Sequence, residues 1–92
     1  MTVDEKDVRL AIAEDRLAKA VSYLDDLENL EITAISLKSQ MKNLKSCGWT
    51  VENEEEVDDI ISSAAFFIPY ARESKFYAEE QLNRTKETIT NG

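Results

Sequence analysis

The carboxylates carry the most evident chemistry of this 92-residue chain, because acidic residues repeatedly stand side by side. Carboxylates can hold a metal ion or present negative charge to a basic partner. Calcium-binding loops intersperse acids with Asn and Gly in a defined turn, a pattern that the run Glu54–Glu56 lacks. The sequence therefore predicts no metal site and favours an acidic surface. Adjacent acids recur along the chain, among them Glu14 and Asp15, Asp25 and Asp26, Asp58 and Asp59, and Glu79 and Glu80.

Enzymatic chemistry has little support in the composition. The chain contains no His, so it has no imidazole to activate a Ser or Cys nucleophile or to bind a metal. Cys47 is the single cysteine, which excludes an intrachain disulfide and a Cys-based zinc site and fits a reducing compartment. We expect a protein that is not an enzyme and needs no cofactor.

Charge and hydropathy limit the possible surroundings of the chain. Eleven basic and nineteen acidic residues give a net charge of −8, which disfavours direct binding to nucleic-acid phosphates. The longest apolar run, residues 64–68, is far short of the roughly 20 residues of a membrane span. The acidic N-terminus is not followed by the apolar core of a signal peptide. We expect a cytoplasmic protein that binds neither a membrane nor nucleic acid directly.

The apolar residues that would position these acids follow a helical pattern in the first half. They alternate steps of three and four, as in a coiled-coil seam, with an extra step of three after Leu27 that predicts a local phase shift. Thr2 and Glu5 form a capping-box signature, and Gly48 is a favourable stop. We expect a helix from about residue 3 to about residue 46. Its seam would comprise Leu10, Ala13, Leu17, Ala20, Leu24, Leu27, Leu30, Ala34, Leu37, Met41 and Leu44.

The second half predicts a partner helix. Asn53 and Glu56 can cap a helix from about residue 54 to about residue 90, and residues 47–53 form the turn. Pro69 removes a backbone hydrogen bond, so we expect a kink or break near it. The predicted fold is a single all-α domain over 1–92, a long antiparallel hairpin in which residues whose numbers sum to about 99 are level. The second apolar stripe runs through Val57, Ile60 or Ile61, Ala64, Phe67 or Ile68, Ala71, Ala78, Leu82, Thr85 and Ile89.

Aromatic residues bear on assembly. Phe66, Phe67 and Ile68 are consecutive, so on a helix they point in different directions and one hairpin partner cannot cover them all. Either the second arm folds into a deeper monomeric core, or a homodimer buries the additional face. We favour a homodimer that forms a helical bundle through these three residues, because a two-helix chain of this size has little core of its own.

The acidic residues differ in how well the hairpin explains them. Lys38, Lys42 and Lys45 would lie beside the acids that begin the second helix, and each set complements its own helix dipole. No base between Lys19 and Lys38 can pair along the helix with the mid-helix acids. These acids, Asp25, Asp26, Glu28 and Glu31, are either a solvated face or a stripe that a basic partner recognises.

Length, acidity, helical character and paired acids together resemble the small Arn-like anti-restriction proteins of T-even-type phages, which are DNA mimics. The resemblance implies a non-enzymatic inhibitor in the bacterial cytoplasm that occupies the DNA-binding surface of a restriction nuclease or nucleoid-associated protein. The alternative is a helical adaptor or assembly subunit that binds a partner through its apolar face. In the mimic, the contacting acids would be Glu14, Asp15, Asp25, Asp26, Glu28, Glu31, Asp58, Asp59, Glu79 and Glu80.

Overall fold

The computed structural model describes residues 5–91, which form two α-helices and the turn between them. Helix α1 spans Glu5–Ser46 and helix α2 spans Glu54–Asn91, with no strand in the described range. The predicted all-α helical hairpin is confirmed, and the turn lies between the residues at which the apolar periodicity stops and resumes. Thr2, the predicted cap of α1, lies outside the described residues.

Helix α2 continues through Pro69, so of the predicted kink or break the break is absent. Pro69 has no N–H for the carbonyl of Ala65, but both residues are exposed, so water can reach that carbonyl. The opposite side of the helix is held by burial of Ala64, Ile68 and Ala71, which are 1%, 6% and 1% exposed. Packing on one side and solvent on the other offset the local cost of the proline.

The chain forms two compact units. One combines Met1–Leu24 with Tyr70–Gly92, and the other is the continuous segment Asp25–Pro69. We call them the terminal unit and the turn unit.

The terminal unit pairs the two helices along apolar seams. Arg16 Nη1 donates a hydrogen bond to Gln81 Oε1 at 3.2 Å, which gives an antiparallel register close to the predicted one. The buried and half-buried apolar and Thr residues of its seams are Leu10, Ala13, Leu17, Ala20 and Leu24 on α1, and Ala71, Ala78, Leu82, Thr85 and Ile89 on α2.

The turn unit does not contain the predicted phase shift. Leu30, Leu37 and Leu44 are 46%, 44% and 48% exposed, so they lie outside the seam in which the sequence placed them. The seam keeps its alternation of three and four by using Lys38 and Lys45, whose ammonium groups bind Asp58 and Glu54 of α2. The buried and half-buried seam residues are Leu27, Glu31, Ala34 and Met41 on α1, and Val57, Ile61, Ala64 and Ile68 on α2.

The core of the described residues is small. Eight apolar residues are buried, four of them alanines, and no large side chain falls below 2% exposure. Burying an alanine removes little apolar surface from water, so these residues permit close packing without contributing much hydrophobic stabilisation. The buried residues are Ala13, Leu24, Ala34, Val57, Ala64, Ile68, Ala71 and Leu82.

The end of α1 is a Schellman motif. The N–H of Trp49 donates to the carbonyl of Leu44 at 3.1 Å, and the N–H of Gly48 donates to that of Lys45 at 3.0 Å. Gly48 has φ of 89°, which glycine adopts without the steric cost of a Cβ. The predicted stop at Gly48 therefore has its expected physical cause.

The predicted cap at Asn53 is wrong. Asn53 has φ of 65°, whereas an N-cap residue has an extended backbone. Neither its side chain nor that of Glu56 forms a hydrogen bond within residues 5–90. Asn53 instead closes the turn in the left-handed conformation that asparagine tolerates.

Candidate partner-binding surfaces

The predicted acidic surface is divided between the two units. The terminal unit carries Glu14, Asp15, Glu79 and Glu80. The turn unit carries the remaining predicted acids, which are Asp25, Asp26, Glu28, Glu31, Asp58 and Asp59. Glu28, Glu31, Asp58 and Glu80 are half-buried, and the other six are exposed.

Several of these carboxylates are already paired with lysines. Asp15 Oδ2 lies 2.9 Å from Lys19 Nζ, and Glu79 Oε1 lies 3.9 Å from Lys75 Nζ. Both are i,i+4 pairs on a single helix, which contribute a few tenths of a kcal/mol each. Their charge is partly compensated within the chain, so they offer less to a basic partner than their sequence positions indicate.

Asp25 and Asp26 differ from the paired acids. Both are exposed, and their side chains form no ion pair or hydrogen bond with residues 5–90. They lie in the middle of α1, where neither helix end attracts negative charge. Their charge is therefore available to a partner.

Two of the three lysines that the sequence places beside the acids that begin α2 are paired with them. Lys38 Nζ donates to Asp58 Oδ1, and Lys45 Nζ donates to Glu54 Oε2. The hydrogen bond to Asp58 raises the pKa of Lys38 above its ordinary 10.5, helped by the negative charges of Asp58 and Glu54 and opposed by partial desolvation. These pairs join α1 to α2 in the turn unit and compensate Lys38 and Lys45, whereas Lys42 forms no ion pair with the described residues.

The three residues predicted to form a dimer interface are separated by the fold. Phe66 and Phe67 are 60% and 46% exposed, whereas Ile68 is 6% exposed and belongs to the core of the turn unit. The two rings contact each other edge to face, with centroids 5.2 Å apart. We call Phe66 and Phe67 the aromatic pair. It is open to a partner, but Ile68 is already covered by the chain itself.

Sequence reasoning missed a second apolar surface in the turn unit, beside the seam of α1. Leu30, Leu37 and Leu44 recur every seventh residue, so they share one side of the helix, and they are nearly half exposed. Their spacing was visible in the sequence, but they were assigned to the seam. We call this surface the leucine face and define it as Asn29, Leu30, Thr33, Ser36, Leu37, Gln40, Asn43 and Leu44.

The terminal unit has a cleft lined by arginines. Arg9, Arg16 and Arg84 lie around Ala13, Gln81 and neighbouring side chains. Arg9 Nη2 is paired with Glu5 Oε1 at 2.9 Å, and Arg16 is bonded to Gln81. The cleft is a local basic area in an acidic chain, and nothing in the sequence pattern singled it out.

A metal-binding cluster is not found in the described part of the chain. Within it, no three acidic or cysteine side chains gather closely enough to hold a metal ion, and Cys47 is an exposed thiol in the turn. No helix among the described residues is long and apolar enough to cross a membrane.

Comparison with known protein families, with curated proteins and with solved structures gave no match.

Proposed function

We propose that this protein is a non-enzymatic helical assembly subunit that binds another protein through its apolar helix faces. One observation carries the proposal: among the described residues, fifteen large apolar side chains are more than 40% exposed, while four non-alanine apolar side chains are buried. Where such side chains adjoin, as Phe66 and Phe67 do, they form exposed apolar patches, which commonly mark interaction sites. The alternative predicted from the sequence thus becomes the leading function.

The aromatic pair is the best candidate anchor for a partner. Phenylalanine buries a large apolar area when it is covered, about 1.5–3 kcal/mol for a full side chain. Phe66 and Phe67 stand together on α2 and extend the apolar surface beyond the seam. Aromatic anchors near the centre of an interface commonly carry much of its binding energy.

The test compares two aromatic pairs of the same chain. Tagged wild-type protein, Phe66→Ala/Phe67→Ala, and the matched control Phe76→Ala/Tyr77→Ala would be used to capture proteins from cell extract at about 0.5 M salt, where surface charge is screened. Phe76 and Tyr77 are also adjacent and are 56% and 57% exposed, but they belong to the terminal unit. We expect a specific partner to be lost with the first variant and retained by the control. Identical capture profiles for all three proteins would contradict the proposed anchor.

Asp25 and Asp26 favour a second candidate function, in which the acidic surface occupies the nucleic-acid-binding site of a DNA-binding protein. Duplex DNA carries about one charge per 1.7 Å of axis, and a side-by-side pair of unpaired carboxylates imitates that density locally. Binding would then compete with DNA and weaken steeply with salt. In this function, Glu28 and Glu31 would extend the same acidic stretch of α1.

The experiment measures displacement of labelled duplex DNA from proteins that a DNA column retains. We expect the wild type to displace DNA at low salt and Asp25→Asn/Asp26→Asn to lose most of that effect. The control Glu73→Gln/Glu87→Gln removes the same charge from two other exposed acids and should behave as wild type. If both variants lose DNA displacement equally, the effect depends only on net charge. If the wild type displaces no DNA, mimicry is excluded.

A further inference from the structure

We infer that the leucine face binds the leucine face of a second copy of this chain, with the two α1 helices antiparallel. The inference rests on the proposed assembly function and names the partner of one apolar surface. The observation behind it is a face without charge in a chain where 33% of residues are charged.

The leucine face has the pattern of a coiled-coil contact. Its three leucines occupy one heptad position over about 21 Å of helix, and every other member is an uncharged amide or hydroxyl residue. The charged side chains of this stretch lie elsewhere: Lys38 is bonded to Asp58 of α2, and Glu31 is half-buried in the seam. Thr33, Ser36, Leu37 and Gln40 also line a shallow groove with Ile32, into which a side chain of a facing helix can pack.

Self-complementarity points to a second copy. A two-fold interface uses the same patch on both subunits, and the leucines are symmetric about Leu37. In an antiparallel pair, Leu37 meets Leu37 and Leu30 meets Leu44, so all three leucines of each copy are covered. Two copies of net charge −8 repel each other, and a charge-free face is where that repulsion is least.

Charge selects the antiparallel direction. A parallel pair would set Asp25 and Asp26 against the same residues of the second copy, which costs free energy. An antiparallel pair about Leu37 sets them level with Trp49 and Gly48 of the second copy, so the aspartates of the two copies lie at opposite ends of the contact.

The first experiment measures the mass of the full chain by sedimentation at micromolar concentrations. We expect twice the 10.5 kDa chain mass for the wild type. Leu37→Lys should weaken dimerisation about 100-fold or more, because both copies lose a leucine and gain a buried charge. The matched control Ile35→Lys changes an exposed isoleucine of the same helix, 51% exposed and off the leucine face, and should remain dimeric.

Oxidative cross-linking tests the direction without disturbing the face. Cys47 is the single cysteine, and in the antiparallel pair the two Cys47 residues are about 30 Å apart along the helix axis. The wild type should therefore form no disulfide-linked dimer, whereas Leu37→Cys/Cys47→Ser should form one at the two-fold axis. A disulfide between the two Cys47 residues of the wild type would overturn the antiparallel pairing. The absence of a disulfide-linked dimer in Leu37→Cys/Cys47→Ser would overturn it as well.

Failure of this inference is distinguishable from failure of the proposed function. Phe66→Ala/Phe67→Ala should lose the captured protein but remain dimeric. A monomeric wild type, or a Leu37→Lys variant that stays dimeric with unchanged circular dichroism, would overturn the leucine-face dimer and leave partner capture by the aromatic pair intact. Dissociation by the aromatic-pair variant would move the dimer interface to Phe66 and Phe67 and would also overturn this inference.

Discussion

Replacing Ile68 with alanine should separate the core of the turn unit from its exposed aromatic surface. Ile68 is 6% exposed, and Ile68→Ala removes three carbons at about 0.8 kcal/mol each. The transfer cost is therefore about 2.4 kcal/mol, with a small additional cavity cost because a two-helix core is open to solvent at its edges. The neighbouring Phe67→Ala should cost less than about 1 kcal/mol, because the ring is 46% exposed and alanine has the higher helix propensity.

The measurement is urea unfolding followed by circular dichroism, with wild type and variants at one protein concentration. Ile68→Val, which removes one carbon, should cost about 0.5–1.5 kcal/mol and keeps the series measurable if the alanine variant is unfolded in water. Equal losses for Ile68→Ala and Phe67→Ala, or a loss below about 1 kcal/mol for Ile68→Ala, would refute the assignment of Ile68 to the core.

Two further predictions concern the turn and its ion pairs. Gly48→Ala should lower the free energy of unfolding in urea by about 1–2 kcal/mol, because φ at Gly48 is 89° and an added Cβ would have no neighbouring atom within 4 Å, so the cost comes from the backbone alone. The control Asn53→Gly should be neutral or stabilising. A Gly48→Ala variant as stable as wild type would contradict this backbone cost. The raised pKa of Lys38 favours the protonated folded state, so its contribution to stability is complete below 10.5 and is lost as pH rises through the raised value. As the pH is raised above 10.5, the free energy of unfolding should therefore fall less for Lys38→Met than for wild type. The control Lys42→Met should follow the wild-type curve.

The helix bounds and pairing direction were predictable from local signals. Gly48 supplies a conformation that other residues adopt at a cost, and the chain near it contains too few apolar residues to continue either stripe. Lys38 and Lys45 are followed closely by acids, and a short turn brings them together. These features depend on residues that are close in sequence, so the helix bounds and the pairing direction can be predicted without knowledge of the fold.

The missed features depend on where the second helix lies. After Leu27, a step of three reaches Leu30 and a step of four reaches Glu31, and apolar character alone favours the leucine. In the fold, unbroken heptad spacing on α2 and the ion pairs of Lys38 and Lys45 select the step of four. The choice between a kink and a break at Pro69 stayed open for the same kind of reason, because burial of Ala64 and Ile68 on the opposite side of α2 is invisible to a local rule.

A core this small links folding to association. Each ordered residue costs about 1.5 kcal/mol in conformational entropy, and alanines such as Ala64 and Ala71 return little hydrophobic free energy when buried. Covering Leu30, Leu37 and Leu44 in a second copy adds apolar burial that the hairpin lacks by itself. If unfolding and dissociation are coupled, each tenfold rise in protein concentration should raise the unfolding free energy of the wild type by about 1.4 kcal per mole of dimer. Leu37→Lys should unfold with a midpoint independent of concentration, since its dimer is lost, and Ile35→Lys should retain the wild-type dependence. A wild-type midpoint that does not move between about 1 and 100 μM would show that the hairpin is stable alone, and its exposed leucines would then contribute nothing to folding.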